Sequence, residues 1–219
     1  MPAHIRPARL EDMPAISRIS LLTGRAGQSA EDDHRIGGLP GSVWAEPYVA
    51  AELKPDARTF AFVLVNDDAP DLAVGYIVGT ADTRAYERVA EERWWPALRT
   101  RHPLTSVDDR ALMDADRQHV RLLHKPDLAP QNVIEFSPAH VHISLLPSHQ
   151  RQGWGHRLLD AAVSHLRGEG LDALHLVVNP RNNQAKQFYL KVGFERLPTD
   201  ERGYEYYGLR SSRFTSFRQ

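Results

Sequence analysis

The sequence predicts an α/β (α+β) chain, a sheet with helices packed against it, as one elaborated domain over residues 1–219. Three observations carry this expectation. Val141, Ile143 and Leu145 alternate with His140, His142 and Ser144, which is the period of a strand. After Pro147 and Ser148 the period changes, and Leu158, Leu159, Ala162, Val163 and Leu166 mark one face of a helix. The same order returns at 171–178, an apolar run that ends in β-branched residues. A turn cluster at 179–183 follows, then a helix with Ala185, Phe188, Tyr189 and Val192 on one face, closed by Gly193.

The remaining elements read in chain order. Residues 5–8 form a short strand, and Asp12 caps a helix carrying Ile16, Ile19, Leu21 and Leu22. The Gly-, Asp- and Ser-rich stretch 23–40 reads as a long loop of the kind that carries function. A helix is expected from Trp44 to about Leu53. Strands at 59–65 and 72–79 flank a hairpin loop at 66–71. Residues 81–136 form a helical insertion between the third and fourth strands. It has one helix from Thr83 to Trp95 ended or kinked by Pro96, a second over 108–123, and a Pro-rich loop over 125–138. After Phe194 come a strand, a turn at 198–203 and a last strand at 204–209. The tail 210–219 reads as a solvated or packed extension.

Composition narrows the function. A chain of 219 residues, 42% hydrophobic and 25% charged, is ordinary for a globular protein with a good core. With 27 basic and 28 acidic side chains the net charge is −1, so nothing draws it toward nucleic acid or membrane. The absence of cysteine excludes a disulfide framework, a thiol nucleophile and a thiolate metal site. No apolar run approaches a membrane span and no secretory h-region opens the chain, so the cytoplasm is the expected location.

Gly153 and Gly155 fall at a helix N-terminus directly after a strand, where unbonded amides and the helix dipole favour phosphate. The loop lacks the G-x-x-x-x-G-K-[ST] of nucleotide triphosphatases and the third Gly of the dinucleotide fingerprint. What stands there is Gln150-x-x-Gly153-x-Gly155, which resembles the [QR]-x-x-G-x-[GA] signature of the GNAT superfamily of N-acetyltransferases. One strand later, Asn182-x-x-Ala185-x-x-Phe188-Tyr189-x-x-x-Gly193-Phe194 resembles that superfamily's second segment, and Ile5-Arg6-Pro7-Ala8 with Asp12 resembles its opening.

The resemblance implies a GNAT fold, with a central, mixed, mostly antiparallel twisted sheet of about seven strands, and acetyl-CoA as cosubstrate. It implies that the pyrophosphate lies on the loop Gln150, Arg151, Gln152, Gly153, Trp154, Gly155 and His156, with pantetheine along the strand edge at Leu145. It implies that an amide near Leu145 or Leu146 polarises the carbonyl, and that Asn182, Ala185 and Phe188 complete the cofactor site. Tyr189 matches the family's usual acid position, the alternative being a packing aromatic. A narrower set resembles the acetyltransferase-like C-terminal domain of eukaryotic O-GlcNAc hydrolases and its free-standing bacterial relatives. It comprises Arg6-Pro7, Leu21-Leu22-Thr23-Gly24, Ala45-Glu46-Pro47-Tyr48, Gly75-Tyr76-Ile77, Asp82-Thr83-Arg84-Ala85 and His140-Val141-His142-Ile143.

The base is less defined. Many family members place a Glu on the fourth strand; here that strand offers His140, His142 and Ser144 on one face, with Glu135 upstream. His142 is the candidate base or water-positioner, against a buried hydrogen-bonded His or a substrate-positioning residue. No third ligand accompanies the His-x-His pair at a metal-binding spacing, so no metal is expected. Asp82 and Arg84 line the acceptor pocket or form a surface ion pair.

Two function classes follow. The first is direct acetyl transfer to a small-molecule amine in a ternary complex, with protein or histone acetylation as its variant. The second is a non-catalytic acetyl-CoA-binding module. The aromatics Tyr86, Trp94 and Trp95 need burial, which predicts that the insertion packs over the His142 strand and narrows the acceptor side. The expected partners are acetyl-CoA and the amine, without nucleic acid or membrane, and a homodimer is compatible with this.

Overall fold

A computed structural model describes residues 2–199 and 203–214. Its strands are β1 (Ala3–Pro7), β2 (Thr59–Asn66), β3 (Ala69–Thr80), β4 (His140–Leu145), β5 (Ala173–Val178), β6 (Glu195–Leu197) and β7 (Glu205–Arg210). They form a seven-stranded sheet in the order β1-β2-β3-β4-β5-β7-β6. Every neighbouring pair is antiparallel except β4 and β5, which are parallel and share one registered pair, His140 with His175. The crossover between them is α7 (Trp154–Gly168), as a parallel pair requires. This is the GNAT fold that the motifs imply.

Apolar layers cover the two faces. On one, α7 and α8 (Asn183–Val192) bury Leu158, Leu159, Leu166 and Tyr189 against Val141 and Leu176. On the other lie α1 (Met13–Thr23), α2 (Leu39–Trp44), α3 (Thr83–Arg93), α4 (Trp95–Arg101) and α5 (Asp114–His124), which bury Ile16, Leu39, Tyr48, Tyr86, Trp95 and Leu123 together. The helical insertion between β3 and β4 therefore shares its layer with α1 and α2, and its last helix is the short α6 (Gln131–Phe136).

Proline placement explains where the sequence reading shifts. The helix expected to start at Trp44 ends there. Pro40 sits in the first turn of α2, where its missing N–H costs nothing, and residues 46–53 continue as 3-10 turns. Pro96 sits in the first turn of α4, which resumes after Trp94 alone, so of the two expected effects the helix kinks there and does not end. The expected loop 125–138 contains α6, whose Val133 packs on Leu197 and Tyr206. The expected helix at 108–123 starts only at Asp114. Asp12 makes no side-chain cap; it takes the Arg6 fork at 2.7 and 2.8 Å and the Arg9 amide at 2.7 Å, tying β1 to α1. The 210–219 tail is described only as far as Phe214, which is buried against the α7 layer.

Candidate active site

The site begins with the ladder between β3 and β4. Leu146 donates its amide to the Val74 carbonyl at 3.0 Å, so this opposed pair is a hydrogen-bonded one. Antiparallel pairs alternate, so Leu145 opposite Gly75 and Ile143 opposite Ile77 turn their amides away from β3, toward β5. Beyond His140 and His175 the two parallel strands have no further registered pair. The Ile143 and Leu145 amides therefore face an open gap. This separates the two candidates for polarising a carbonyl: Leu146 is committed to the sheet, and Leu145 is not.

Beyond the strand, a 3-10 turn at Pro147–His149 leads into the glycine loop. Arg151 at φ 58° and Gly153 at φ 83° both take left-handed backbone to make the turn. The first bond of α7 runs from the Arg157 amide to the Gly153 carbonyl at 3.2 Å, which leaves the amides of Gly153, Trp154 and Gly155 no acceptor within the helix. With the turned amides of β4, these fit the diphosphate and pantetheine of acetyl-CoA.

Several residues of the expected cofactor site also have structural duties. The Gln150 side chain donates to the Leu145 carbonyl at 2.9 Å, and Gln152 to the Ser148 carbonyl at 2.6 Å. Asn182 caps α8 by accepting the Ala185 amide at 3.0 Å. A Cβ on Gly155 would stand 3.1 Å from the Phe188 ring, so that glycine admits α8 as well as any ligand. His156 stacks its ring on Phe214 at 4.7 Å, and Trp154 lies under the Arg157 guanidinium at 4.7 Å. The backbone of this loop, more than its side chains, is what remains to bind phosphate.

Two cavities meet at the gap. One of about 280 Å³ is bordered by Tyr189, Ser144, His142, Asn179, Tyr76 and His34. The other, about 650 Å³, runs under the insertion between Trp44, Tyr48, Tyr86, Trp95, His142 and Tyr206, with Glu87, Glu91, Arg84 and Arg99 also lining it. His142, Val141, Leu176 and Val177 border both. The insertion thus lies over the strand that carries His142, as its aromatics predict. Arg84 pairs with Glu87 at 2.6 Å and holds the Ala129 carbonyl at 2.8 Å, while Asp82 caps α3 through the Ala85 amide at 3.0 Å. Of these two, Arg84 is the one that lines the larger cavity.

A polar chain runs behind His142. Thr83 donates to the Pro138 carbonyl at 2.6 Å, so its oxygen accepts from Nδ1 of His140 at 2.7 Å. Nε2 of His140 then accepts the Tyr48 hydroxyl at 2.6 Å, and the Tyr48 oxygen accepts from Nε2 of His142 at 3.1 Å. This order of donors leaves Nδ1 of His142 as a bare lone pair. Burial, then the neighbouring His175, pushes His142 down to about 4, so it is neutral at pH 7. It can accept a hydrogen bond there but is a weak sink for a proton. Tyr189 is 8% exposed, and burial pushes its hydroxyl up, so it is fully protonated at neutral pH. The contacts of Tyr48 with the histidines and the Asp116–His34 pair were not foreseen; their partners come from segments far apart in sequence and carry no local spacing signal.

Comparison with known proteins agrees with the fold. Residues 120–194 match the model of the Acetyltransferase (GNAT) family. The crystal structure of SsHAT superposes with a TM-score of 0.81 at 32% identity, covering 96% of this chain and 99% of that one. The N-acetyltransferase PaiA from Thermoplasma acidophilum, solved in complex with coenzyme A, shares the fold at a TM-score of 0.57 and 14% identity, over 96% of this chain and 99% of that one. A mycothiol acetyltransferase of Saccharomonospora viridis is 27% identical over 201 residues, 90% of this chain; the chain spans 60% of that relative's length. By sequence and architecture the chain belongs to the GNAT family of acetyltransferases, acyltransferases that take their acetyl group from acetyl-CoA.

Proposed function

We propose that the chain is an N-acetyltransferase for a small-molecule amine, working as one domain by direct transfer with both substrates bound. The observation that carries this is the junction of the two cavities at the β4–β5 gap, with the larger one roofed by the insertion. A roofed cavity of about 650 Å³ suits a compact acceptor better than a peptide, which needs an open groove. Its aromatic walls favour an amine with a flat apolar body. The narrower likeness to the acetyltransferase-like domain of O-GlcNAc hydrolases fits the same arrangement, since its shared segments include β4 and the start of α3.

The bound cosubstrate supplies an acetyl thioester. The amides of Gly153, Trp154 and Gly155 hold its diphosphate, and the Ile143 edge orients its pantetheine. The Leu145 amide donates to the carbonyl oxygen where negative charge grows. His142, through Nδ1, accepts a hydrogen bond from the amine or a water and aims it, which is the positioning half of its expected role. Tyr189 donates to the departing sulfur.

Release of CoA can be followed with a thiol reagent in the presence of tyramine, glucosamine, spermidine or a lysine-containing peptide. Turnover with a small amine and not with the peptide is expected. Turnover with the peptide alone would reject the small-molecule acceptor, and tight acetyl-CoA binding without turnover on any amine would leave a binding module.

A further inference from the structure

His142 is a weak sink for a proton, and a second histidine borders the same cavity. His34 follows a 3-10 turn at Glu31–Asp33, within the loop that separates α1 from α2. Its Nδ1 lies 2.8 Å from Oδ1 of Asp116 on α5. The two side chains are 3% and 0% exposed. Asp116 also accepts the amides of Arg35 at 2.8 Å, Ile36 at 3.3 Å and Met113 at 3.2 Å. Burial pushes its carboxyl up, but the Arg35 amide, the His34 ring and the Ile36 and Met113 amides together hold it below the usual range, so it is ionised. A carboxylate can only accept. His34 therefore carries a proton on Nδ1, and in the neutral ring Nε2 presents the lone pair.

Among the described residues nothing hydrogen-bonds that Nε2, and the ring lines the 280 Å³ cavity with Tyr189, His142 and Ser144. From α5, His34 also meets the His119 ring, edge-on at 4.9 Å. His119 is neutral: its Nδ1 donates to the Ala115 carbonyl at 2.9 Å and its Nε2 accepts the Trp44 indole at 3.3 Å. Tyr76, Tyr204, Tyr189 and His142, which also line the cavity, are uncharged at neutral pH. Asp116 is thus the charge that His34 faces.

We propose that His34 takes the proton of the attacking amine, with Asp116 as its positioning residue. This rests on the acetyl-transfer reading above. As the nitrogen–carbon bond forms and the carbon–sulfur bond breaks, Nε2 of His34 receives the amine proton and Tyr189 gives its proton to sulfur. The imidazolium then returns a proton to the Tyr189 oxygen through cavity water, so one N–H is exchanged for one S–H. The arrangement joins the 23–40 loop to the insertion, and neither alone forms the pair.

Long-range ¹H–¹⁵N spectra of the free protein at pH 7 test the geometry without any substrate. The His34 signals, identified by their loss in His34→Asn, should show a protonated Nδ1 and a bare Nε2. A proton on Nε2, alone or together with Nδ1, would overturn the proposal. With tyramine as acceptor, His34→Asn keeps a donor for Asp116 and removes Nε2. Its kcat should fall by about 10²–10⁴-fold, with acetyl-CoA affinity by calorimetry unchanged and the acid limb of the kcat/KM profile lost. An unchanged kcat with the limb intact would also overturn it. A wild-type protein that binds no acetyl-CoA would sink the acetyl-transfer reading. One that binds acetyl-CoA but releases no CoA with tyramine would reject that acceptor, and in either case the spectra still decide the state of His34.

Discussion

At Gly153 the backbone stands at φ 83°, a conformation in which any Cβ costs about 1–2 kcal/mol. Gly155 has a different constraint, since its Cβ would press on the Phe188 ring at 3.1 Å. Gly155→Ala should therefore lower the melting temperature, and Phe188→Leu in the same chain should recover part of the loss. Strict additivity of the two changes, within about 0.5 kcal/mol, would show that the contact does not matter. Tyr189 offers a cleaner test of chemistry. Tyr189→Phe keeps the ring against Phe194 and Tyr207, at 5.2 and 6.4 Å, and removes only the hydroxyl. Turnover should fall by about 10²–10⁴-fold while acetyl-CoA affinity stays the same. Full turnover would leave Tyr189 as packing, with water as the proton source.

Strands β4 and β5 bring three histidines together, and their burial makes the fold sensitive to acid. Burial, then the neighbouring rings, holds His140 well below 6.5. Burial leads in lowering His142 and His175 as well, each from 6.5 to about 4. The unfolded chain binds these protons below about pH 6.5, while the folded chain refuses them until about pH 4. Stability is therefore full above pH 6.5 and drains away as the pH falls toward 4. Thermal melts should show a flat midpoint above neutrality and a steady decline across that window; a midpoint that holds level from pH 6.5 to 4 would refute the cluster's burial.

The same elements show what a sequence can reveal. Period and glycine spacing are local, so β4, the glycine loop, α7, β5 and α8 were legible, and with them the segments proposed to hold the cofactor. Proline is ambiguous between stopping and starting a helix, and Pro40, Pro96 and Pro130 all start one here. The acceptor half was legible as His142, Arg84 and a need to bury Tyr86 and Trp95. Its polar partners, Tyr48 with His140 and His34 with Asp116, are 92 and 82 residues apart, and no pattern within a window can pair them.

Across the whole molecule, the order β1-β2-β3-β4-β5-β7-β6 puts the one parallel pair in the body of the sheet, with the glycine loop at the end where that pair parts. The α7 and α8 layer lies on the proposed cofactor side, and α1 to α5 lie on the proposed acceptor side, on the opposite face. Among the described residues no helix is long and apolar enough to cross a membrane. The central expectation is that acetyl-CoA enters at the β4–β5 gap, with its diphosphate on the start of α7. The most direct measurement is a titration of ¹⁵N-labelled protein with acetyl-CoA, read at the backbone amides. The largest shifts should fall on Ile143, Leu145, Gly153, Trp154 and Gly155, with Leu146 and the β1–β2 edge little moved. Shifts centred on the β1–β2 edge, with the Gly153–Gly155 amides unmoved, would contradict that placement.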